Sequence, residues 1–525
     1  MGGRTALRHL DQQLFQAVAV FVSGSGRFFV VDESFWNADA LRDALPQDES
    51  GFSVYDESLG DDWCSGLPEI RPSDFHRHFD CVFLAMHGPD CEDGAIQGLL
   101  EWYRIPYTGP GLLGSSLGIN KIRQNDLIAL VNGQKKKTLT ISRDAWQQCN
   151  QAEFFQSLVA HIGLPVVVKA PHQGSSIGVA IVKENDLTLF SDAVETCFFQ
   201  TIVTDEFWNA LSNSDKRAYA QRTTDLDKGI GFPLVIEETG ETVTHPATLI
   251  TRLNKLLDLT DSLMLISLSA EDEVLFEEFI EGQEFSCGVI QDDDQNAFAL
   301  PPTEIYNAVA FDFETKYKSN TAKKRIPVGT TLENNRQIQQ VEAEVFSRLG
   351  INVYARTDGF LTADNRVLLH DPNTIPGMSP TSLIFKQMAE IGMDISNTLT
   401  YLIRQSLRER IRTGKNTVQL RHLLAGLDTE LADRKTNPAP EEALSFGPTD
   451  AEFATAKADY NRLAATGAVR PALVYQRTDA ESQTLPVHLL VKETVADLDE
   501  ALSQPRHPLI LETIERTRHI TERYL

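Results

Sequence analysis

Few cysteines, no long apolar run and no excess of basic charge narrow the possibilities before any motif is read. The six cysteines, Cys64, Cys81, Cys91, Cys149, Cys197 and Cys287, are scattered, with no CxxC pair and no histidine cluster at zinc-ligand spacing. That pattern excludes a disulfide framework and a structural zinc site, and reads as free thiols in a reducing compartment. No apolar stretch approaches the ~20 residues needed to span a bilayer, and the start, MGGRTALRHLDQQ, lacks the apolar core of a secretory signal. The expected location is cytoplasmic. Lys and Arg number 48 against 74 Asp and Glu, a formal net charge of -26, which opposes general attraction to nucleic acid or to an anionic membrane surface. Any phosphate must therefore be held by local cations, metal ions or backbone amides. A nucleophile elbow, a Walker loop, an HExxH and a complete GxGxxG are all missing, as is any internal repeat at fixed period.

What is present suits a large globular enzyme. Hydrophobic residues make up 42% of the chain, and the length implies roughly three or four lobes of ordinary domain size. Residues 5 to 15 read as a helix, VAVFV and RFFVV as two strands around SGSG, and CVFLAMHG at 81 to 88 as a buried strand ending in a polar loop. IQGLLEWY reads as a helix and IPYTGPG as a short strand. The expected fold class is α/β, beginning with an open α/β layout. Domain boundaries are expected at 1–114, 115–300, 301–405 and 406–525. Within the second part lie a helix around Lys121, the strand VVVKA, and the strand pair VLFEEFI and FSCGVI, with an insertion at about 195–270 that mixes charges with amphipathic helix signals. KTNPAPEEALSFGPTD has the character of a linker into a carboxyl-terminal region of unassigned role.

The most informative stretch is VYARTDGFLTADNRVLLHDPNTIPGMSPTSL at 353 to 383, which reads as a strand, an Ala-Asp-Asn turn and a second strand leaving into a Pro-Gly loop. Alternation places Arg356 beside Asp358 and Asp371 beside Asn373. Two carboxylates and an amide oxygen are hard ligands of the kind Mg²⁺ prefers, and an arginine alongside would steady charge during phosphoryl transfer. The same pattern also describes a solvated hairpin face with one salt bridge. VVVKAPHQGSSIGV ends an apolar strand on Lys169 and continues into a Gly-Ser loop whose amides could cap phosphates, or which is simply a turn. In VLFEEFIEGQEF, backbone could read an adenine edge and an acidic side chain could take ribose hydroxyls, unless this is only an acidic strand edge. The loop AMHGPDCEDGAIQG offers His87 and Glu92 as an acid-base or substrate-orienting pair, with Asp93 as a helix cap.

Taken in order, HGPDCEDGAIQGLLEWYRIPYTGPG, VVVKAPHQGSSIGV, VLFEEFIEGQEF, and ARTDGFL followed by LHDPNTIPGM resemble the D-alanine–D-alanine ligases, an ATP-grasp family. The match runs from about 5 to 405 apart from the insertion. It implies a three-lobed ATP-grasp architecture and ligation of two D-alanines through an acylphosphate, for cell-wall precursor synthesis. It also implies ATP, two Mg²⁺ or Mn²⁺ ions, small amino-acid substrates and a homodimer. Position by position, the resemblance implies that Lys121 and Lys169 contact ATP phosphates and that Ser175 and Ser176 belong to the substrate and nucleotide loop. Glu277, Glu278, Phe279 and Ile280 hold adenine, and Glu284 holds ribose. Asp358, Asp371 and Asn373 bind the metal ions, Arg356 and the Gly377 amide stabilise the tetrahedral intermediate, and Ser382 takes the carboxylate of the second amino acid. Lys316 and Tyr317, in AFDFETKYKSN, match a mobile loop that closes over the site, and Tyr317 resembles the dipeptide-forming members.

The departures are Asp371 where the family usually has Glu, Asn120 before Lys121 where Asp is usual, and Gln173 for an acidic residue in the phosphate loop. In addition, TALRHLDQQLF already resembles the helix that follows the family's first strand, so that strand and its substrate-binding Glu are expected to be absent. Two further readings remain open: a different carboxylate–amine ligase of the same superfamily, and a catalytically weak ATP-binding protein whose carboxyl-terminal region serves as a partner module.

Overall fold

The computed structural model describes residues 2–32, 52, 64, 66–174, 176–226, 228–306, 323–414, 417–477 and 482–525. Lys316, Tyr317 and Ser175 lie outside them. By internal contacts the chain divides into two units, one built from Met1–Ala19, Pro72–Gln134 and Glu281–Leu525, the other from Val20–Arg71 and Lys135–Ile280. The architecture is mixed α/β, with sheets that are mostly antiparallel.

The smaller unit holds the glycine-containing loop. One of its sheets runs Thr138–Ser142, Glu273–Glu278, Val166–Lys169, Val179–Val182, with every pair antiparallel. Val166, Val168, Val274 and Phe276 face a core of Trp146, Phe155, Leu158 and Phe190, as strand alternation requires when one face is covered by helices. The stretch at about 195–270 is more ordered than its charge pattern suggests. Gln200–Thr204, Ser262–Ser267, Leu234–Ile236 and Glu241–Val243 form a four-stranded sheet with its own core around Trp208, Leu249 and Leu265. Its strands are only three to six residues long, too short to give a clear period-2 signal beside the helical one. Ala19–Val22 and Phe28–Val31 do form strands around a turn, joined by Glu69–Ile70, with Gly26 at φ 79 closing the turn onto Ser23.

The larger unit is organised on one sheet, in the order Lys323–Arg325, Thr303–Tyr306, Gln283–Gln291, Tyr354–Leu361, Val367–Asn373, with Ala297–Ala299 also paired to Gln283–Gln291. Phe285, Cys287 and Val289 point to the helix Leu332–Arg348. The alternate residues meet the helices Leu383–Glu390 and Ile395–Thr413, where Ile290 packs with Ile384, Phe385 and Leu402. VLFEEFI and FSCGVI are both strands but not partners, since each is claimed by a different sheet. Gly282 lies between them so close to the Leu361 carbonyl that a Cβ would sit 2.7 Å from its oxygen.

Three expectations need correction here. CVFLAMHG is extended, but among the described residues its only ladder contact is a parallel bridge from Val82 to Tyr107; the same bridge is all the strand character of IPYTGPG. An apolar run cannot register as a strand without a partner to take its amides. The helix at the amino end spans Gly2–His9 and stops before Phe15, where Asp11 accepts the amides of Gln13 and Leu14. The supposed linker contains the strand Glu441–Phe446, paired in parallel with Arg470–Tyr475 across the helix Asp450–Thr466. Its acidic start is exposed while Phe446 is buried against Phe453 and Tyr475, so charge at one end of the segment masked the strand.

The carboxyl-terminal region belongs to the larger unit by contact. Arg434 pairs with Asp11 at 2.5 Å, Tyr460 donates to Asp394, Arg506 donates to the Glu390 carbonyl at 2.6 Å, and Arg516 donates to Gln339. Arg404, with a side chain 1% exposed, is bonded to Asp293 and Asp428, and Arg523 reaches the same two carboxylates. Burying a guanidinium is tolerable only with such complete pairing.

Candidate functional site

In the larger unit the hairpin at 353 to 383 forms as read, with Tyr354–Leu361 antiparallel to Val367–Asn373 and Asn365 at φ 61 in the turn. One detail escaped the alternation rule. The register steps from Arg356 opposite Asn373 to Asp358 opposite His370, so the second strand carries one extra residue there. Asp371 sits in that bulge at φ 49, a conformation that costs a non-glycine residue and recurs where a side chain is re-aimed. Asp371 thereby reaches Lys121 at 3.7 Å and the His370 ring at 3.0 Å, while Asn373 donates to the Asp371 carbonyl at 3.0 Å.

Arg356 Nε lies 3.4 Å from Asp358 Oδ1, and Ser286, directly across the ladder, donates its hydroxyl to the same oxygen at 2.7 Å. Both side chains of the ion pair are largely buried. Because the strands alternate, one face of the sheet carries Glu284 opposite Ile305 and Phe360, Ser286 opposite Asp358, and Gly288 opposite Arg356. Gly288 has no room for a Cβ, which would sit 2.7 Å from Gln387 and Ile384 atoms of the covering helix. Lys121 opens the helix Lys121–Asn132, and the preceding Asn120 caps that helix by accepting the Arg123 amide. The Asn that departs from the family pattern thus keeps a structural role that Asp would also fill.

Past the hairpin, Gly377 lies half-buried in the loop leaving Asn373, and Ser382 is the N-cap of Leu383–Glu390 without using its hydroxyl to cap it; that hydroxyl faces Ser379 at 3.0 Å. A helix start with unsatisfied amides favours a carboxylate. His87 bonds the Ile375 carbonyl at 2.9 Å, and Glu92 accepts the Gly88 amide at 2.7 Å. No hydrogen bond joins the two side chains, so they brace the loops from different sides rather than forming one pair. Burial pushes the Glu92 carboxyl up to about 7, against the pull of backbone donors and of Arg356 and Lys121. Desolvation likewise lowers His87, with Arg356 adding to it and the bond to Ile375 opposing it. Asp93 is expected to be the N-cap of Ala95–Trp102, but that position is Gly94, with no side-chain cap; Asp93, one residue earlier, accepts the Ala95 amide at 2.9 Å instead.

In the smaller unit Lys169 ends its strand as read, and Ser176 follows at φ 63 in the loop to Val179. Gly178, at φ 63 with Ala170 Cβ 2.5 Å from where its own Cβ would be, permits the tight return. Glu277 is not on a solvated edge: its strand is flanked on both sides. Its carboxylate lies 2.7 Å from Lys169 Nζ and 2.9 Å from Lys136 Nζ, all three side chains being nearly inaccessible. Burial alone would raise this carboxyl; the two ammonium groups outweigh it and hold it far below the usual range. Lys136 was not singled out from the sequence, where KKK before a strand reads as a solvated charge run. Glu278 accepts the Lys137 amide at 3.0 Å, and Phe279 is exposed beyond the paired strand, followed by half-buried Ile280.

Among the described residues no cluster of three His, Cys, Asp or Glu side chains is set to hold a metal ion, so a divalent cation would rest on two carboxylates and an amide. No helix of the described residues is long and apolar enough to cross a membrane.

The family model described as D-ala D-ala ligase C-terminus matches residues 134–206 and 203–404, and the one described as D-ala D-ala ligase N-terminus matches residues 1–110. D-alanine–D-alanine ligase A of Brucella melitensis is 25% identical over 412 residues, covering 78% of this chain and 92% of the relative. D-alanine–D-alanine ligase of Desulforudis audaxviator is 28% identical over 346 residues, covering 64% of this chain and 87% of the relative. The crystal structure of VanG D-Ala:D-Ser ligase from Enterococcus faecalis superposes with a TM-score of 0.50 at 20% identity, over 77% of this chain and 94% of that one. That likeness concerns the fold, which is the ATP-grasp fold.

Proposed function

Because the chain belongs to the D-alanine–D-alanine ligase family, we propose that it uses ATP to join two D-alanine molecules through an acylphosphate, for peptidoglycan precursor synthesis. The observation that carries this reading is the hairpin face, where the mostly covered Arg356 pairs with buried Asp358 while a bulge turns Asp371 toward Lys121. Residues 1–114, 115–300 and 301–405 are then the three parts of the ligase, and 406–525 is an addition to it. Two copies would form the working homodimer.

The donor set fits a pair of Mg²⁺ or Mn²⁺ ions. Asp358, Asp371 and Asn373 offer hard oxygens, and both carboxylates already stand beside cations in Arg356 and Lys121. The ions would supply neutralisation of phosphate charge. Asp371, one methylene shorter than the family's usual Glu, is carried forward by its bulge. Lys121 and Lys169 take phosphate charge, with Lys169 held in place by Glu277 and Lys136. Backbone at Phe279 and Ile280, past the paired part of the strand, reads adenine, and Glu284 takes the ribose. Ser176 belongs to the loop over the phosphates. Such chemistry needs positioning and charge neutralisation rather than a nucleophilic triad.

The first D-alanine carboxylate attacks the γ-phosphorus and ADP leaves. The second amino acid, with its carboxylate at Ser382 and the helix start behind it, attacks the acylphosphate carbon through its amine. Arg356 and the Gly377 amide stabilise the oxyanion, and phosphate departs. His87 orients the first substrate. The test is phosphate release from Mg·ATP with and without D-alanine: release that depends on D-alanine, with dipeptide formed in equal amount, is the expected result. Bound ATP without release would overturn the reading in favour of a nucleotide-binding protein without ligase activity.

A further inference from the structure

A chain of net charge -26 gathers cations around one helix. Lys386 stands one turn beyond Ser382, its side chain 11% exposed, and its ion-pair partner is Glu493 of the carboxyl-terminal region at 3.4 Å, itself 63% exposed. Lys324 lies opposite Ile305 in the ladder, and Ile305 lies opposite Glu284. Lys324 therefore shares the sheet face of Glu284, Asp358 and Arg356, the face that helix Leu383–Glu390 covers through Gln387. Lys324 is exposed, and the carboxylate that attracts it is that of Glu493. Lys457, whose ammonium donates to the Lys492 carbonyl at 2.6 Å, and Arg506, bonded to Glu390, complete the surround. The groups sense each other. Lys324 titrates low, first from desolvation and then from Lys386 and Arg356; Lys457 also titrates low from desolvation and from Lys386, with Glu493 opposing both shifts. His488 is pushed down to about 4 by burial and then by Arg506 and Lys492.

We propose that Lys324 and Lys386 form an anion subsite beside the acceptor position, suited to a second carboxylate on the acceptor amino acid, with Glu493 as its resident counter-ion. This rests on the ligase reading above and specifies its substrate class. D-alanine needs only the helix start and Ser382; a side-chain carboxylate one or two methylenes longer would meet two ammonium groups that share the single, mostly exposed carboxylate of Glu493. Glu493, held at 3.4 Å and mostly in solvent, is readily displaced by it. The carboxyl-terminal region would then select the acceptor through this residue.

The experiment is a competition on the full chain with Mg·ATP, D-alanine and D-glutamate, reading the ratio of D-alanyl-D-glutamate to D-alanyl-D-alanine by mass, in the wild type and in Glu493→Gln and Lys324→Gln. Both substitutions are at exposed positions outside the catalytic groups. Glu493→Gln should raise the ratio about fivefold and Lys324→Gln should lower it by about as much, the range expected for one partly exposed charge. A ratio unmoved by both variants while D-alanyl-D-alanine is still made would overturn the subsite and leave the ligase reading standing. No dipeptide of either kind from the wild type would overturn both.

Discussion

The buried carboxyl of Glu342 should make the protein lose stability as pH rises above the ordinary carboxylate range. Glu342 lies on the helix Leu332–Arg348, fully buried on the sheet face opposite Asp358, and neither oxygen has a hydrogen-bond partner of normal geometry. Desolvation raises its pKa well above the ordinary value; Thr357 pulls the other way and Asp358 adds to the rise. A carboxyl raised in the folded state binds its proton more tightly there than in the unfolded chain. Its contribution is therefore fully present below the unfolded value near ~4.3 and is lost as pH climbs toward the folded value. One proton contributes at most ~1.36 kcal/mol per pH unit, so above the unfolded value the wild type should lose stability with rising pH, at up to that slope, while Glu342→Gln does not. The amide adds a burial cost of its own, but one independent of pH. Calorimetric unfolding of both proteins at pH 5, 6 and 7 reads the difference, and the variant should gain steadily on the wild type. A gap that stays constant, or moves the other way, would show that Glu342 is ionised in the folded chain and that the argument from its burial is wrong.

Other consequences can be checked alongside. Arg356→Ala and Asp358→Ala should each reduce turnover by about 10²-fold or more with circular dichroism unchanged; wild-type rates in both would sink the assignment of this hairpin. Glu277→Gln leaves Lys136 and Lys169 facing each other without a buried counter-charge and should cost about 3–5 kcal/mol together with a raised KM for ATP. Because the Glu277 carboxyl is lowered on folding, its contribution holds above the unfolded value and disappears only in strong acid, so unfolding midpoints of variant and wild type should keep a constant separation from pH 6 to 8. With Glu92 near 7, the pH profile of kcat/KM should bend close to neutrality and lose that bend in Glu92→Gln; an unchanged profile would remove Glu92 from the working site.

The parts of the site legible in the sequence were those carried by short-range rules. Alternation and turn chemistry gave the hairpin of Arg356 and Asp358, and the apolar run before Lys169 gave its strand. What stayed hidden depended on partners distant in the chain. Lys136 gains meaning only when Glu277, 141 residues on, pairs with it, and Ser286 supports Asp358 only across a ladder between strands 72 residues apart. The bulge at Asp371 is a third case: nothing in HDPN announces an extra residue, because the bulge exists only relative to the opposing strand. The apolar run at 81 to 88 failed in the reverse direction, since a run states a strand's appetite for burial but not whether a neighbour is there to pair with it.

The ring of Arg404, Arg523, Asp293 and Asp428 bears on how this chain could change over generations. Each arginine touches both aspartates, and the four come from the turn after the strand Gln283–Gln291, the long helix before residue 414, the helix after it and the last residues of the chain. Deleting the end removes one arginine, and deleting a little more strips Arg404 of half its neutralisation while it remains locked in the interior. A gradual shortening would thus pass through forms worse than either end point. The carboxyl-terminal region, whatever brought it to this ligase, has become hard to give back.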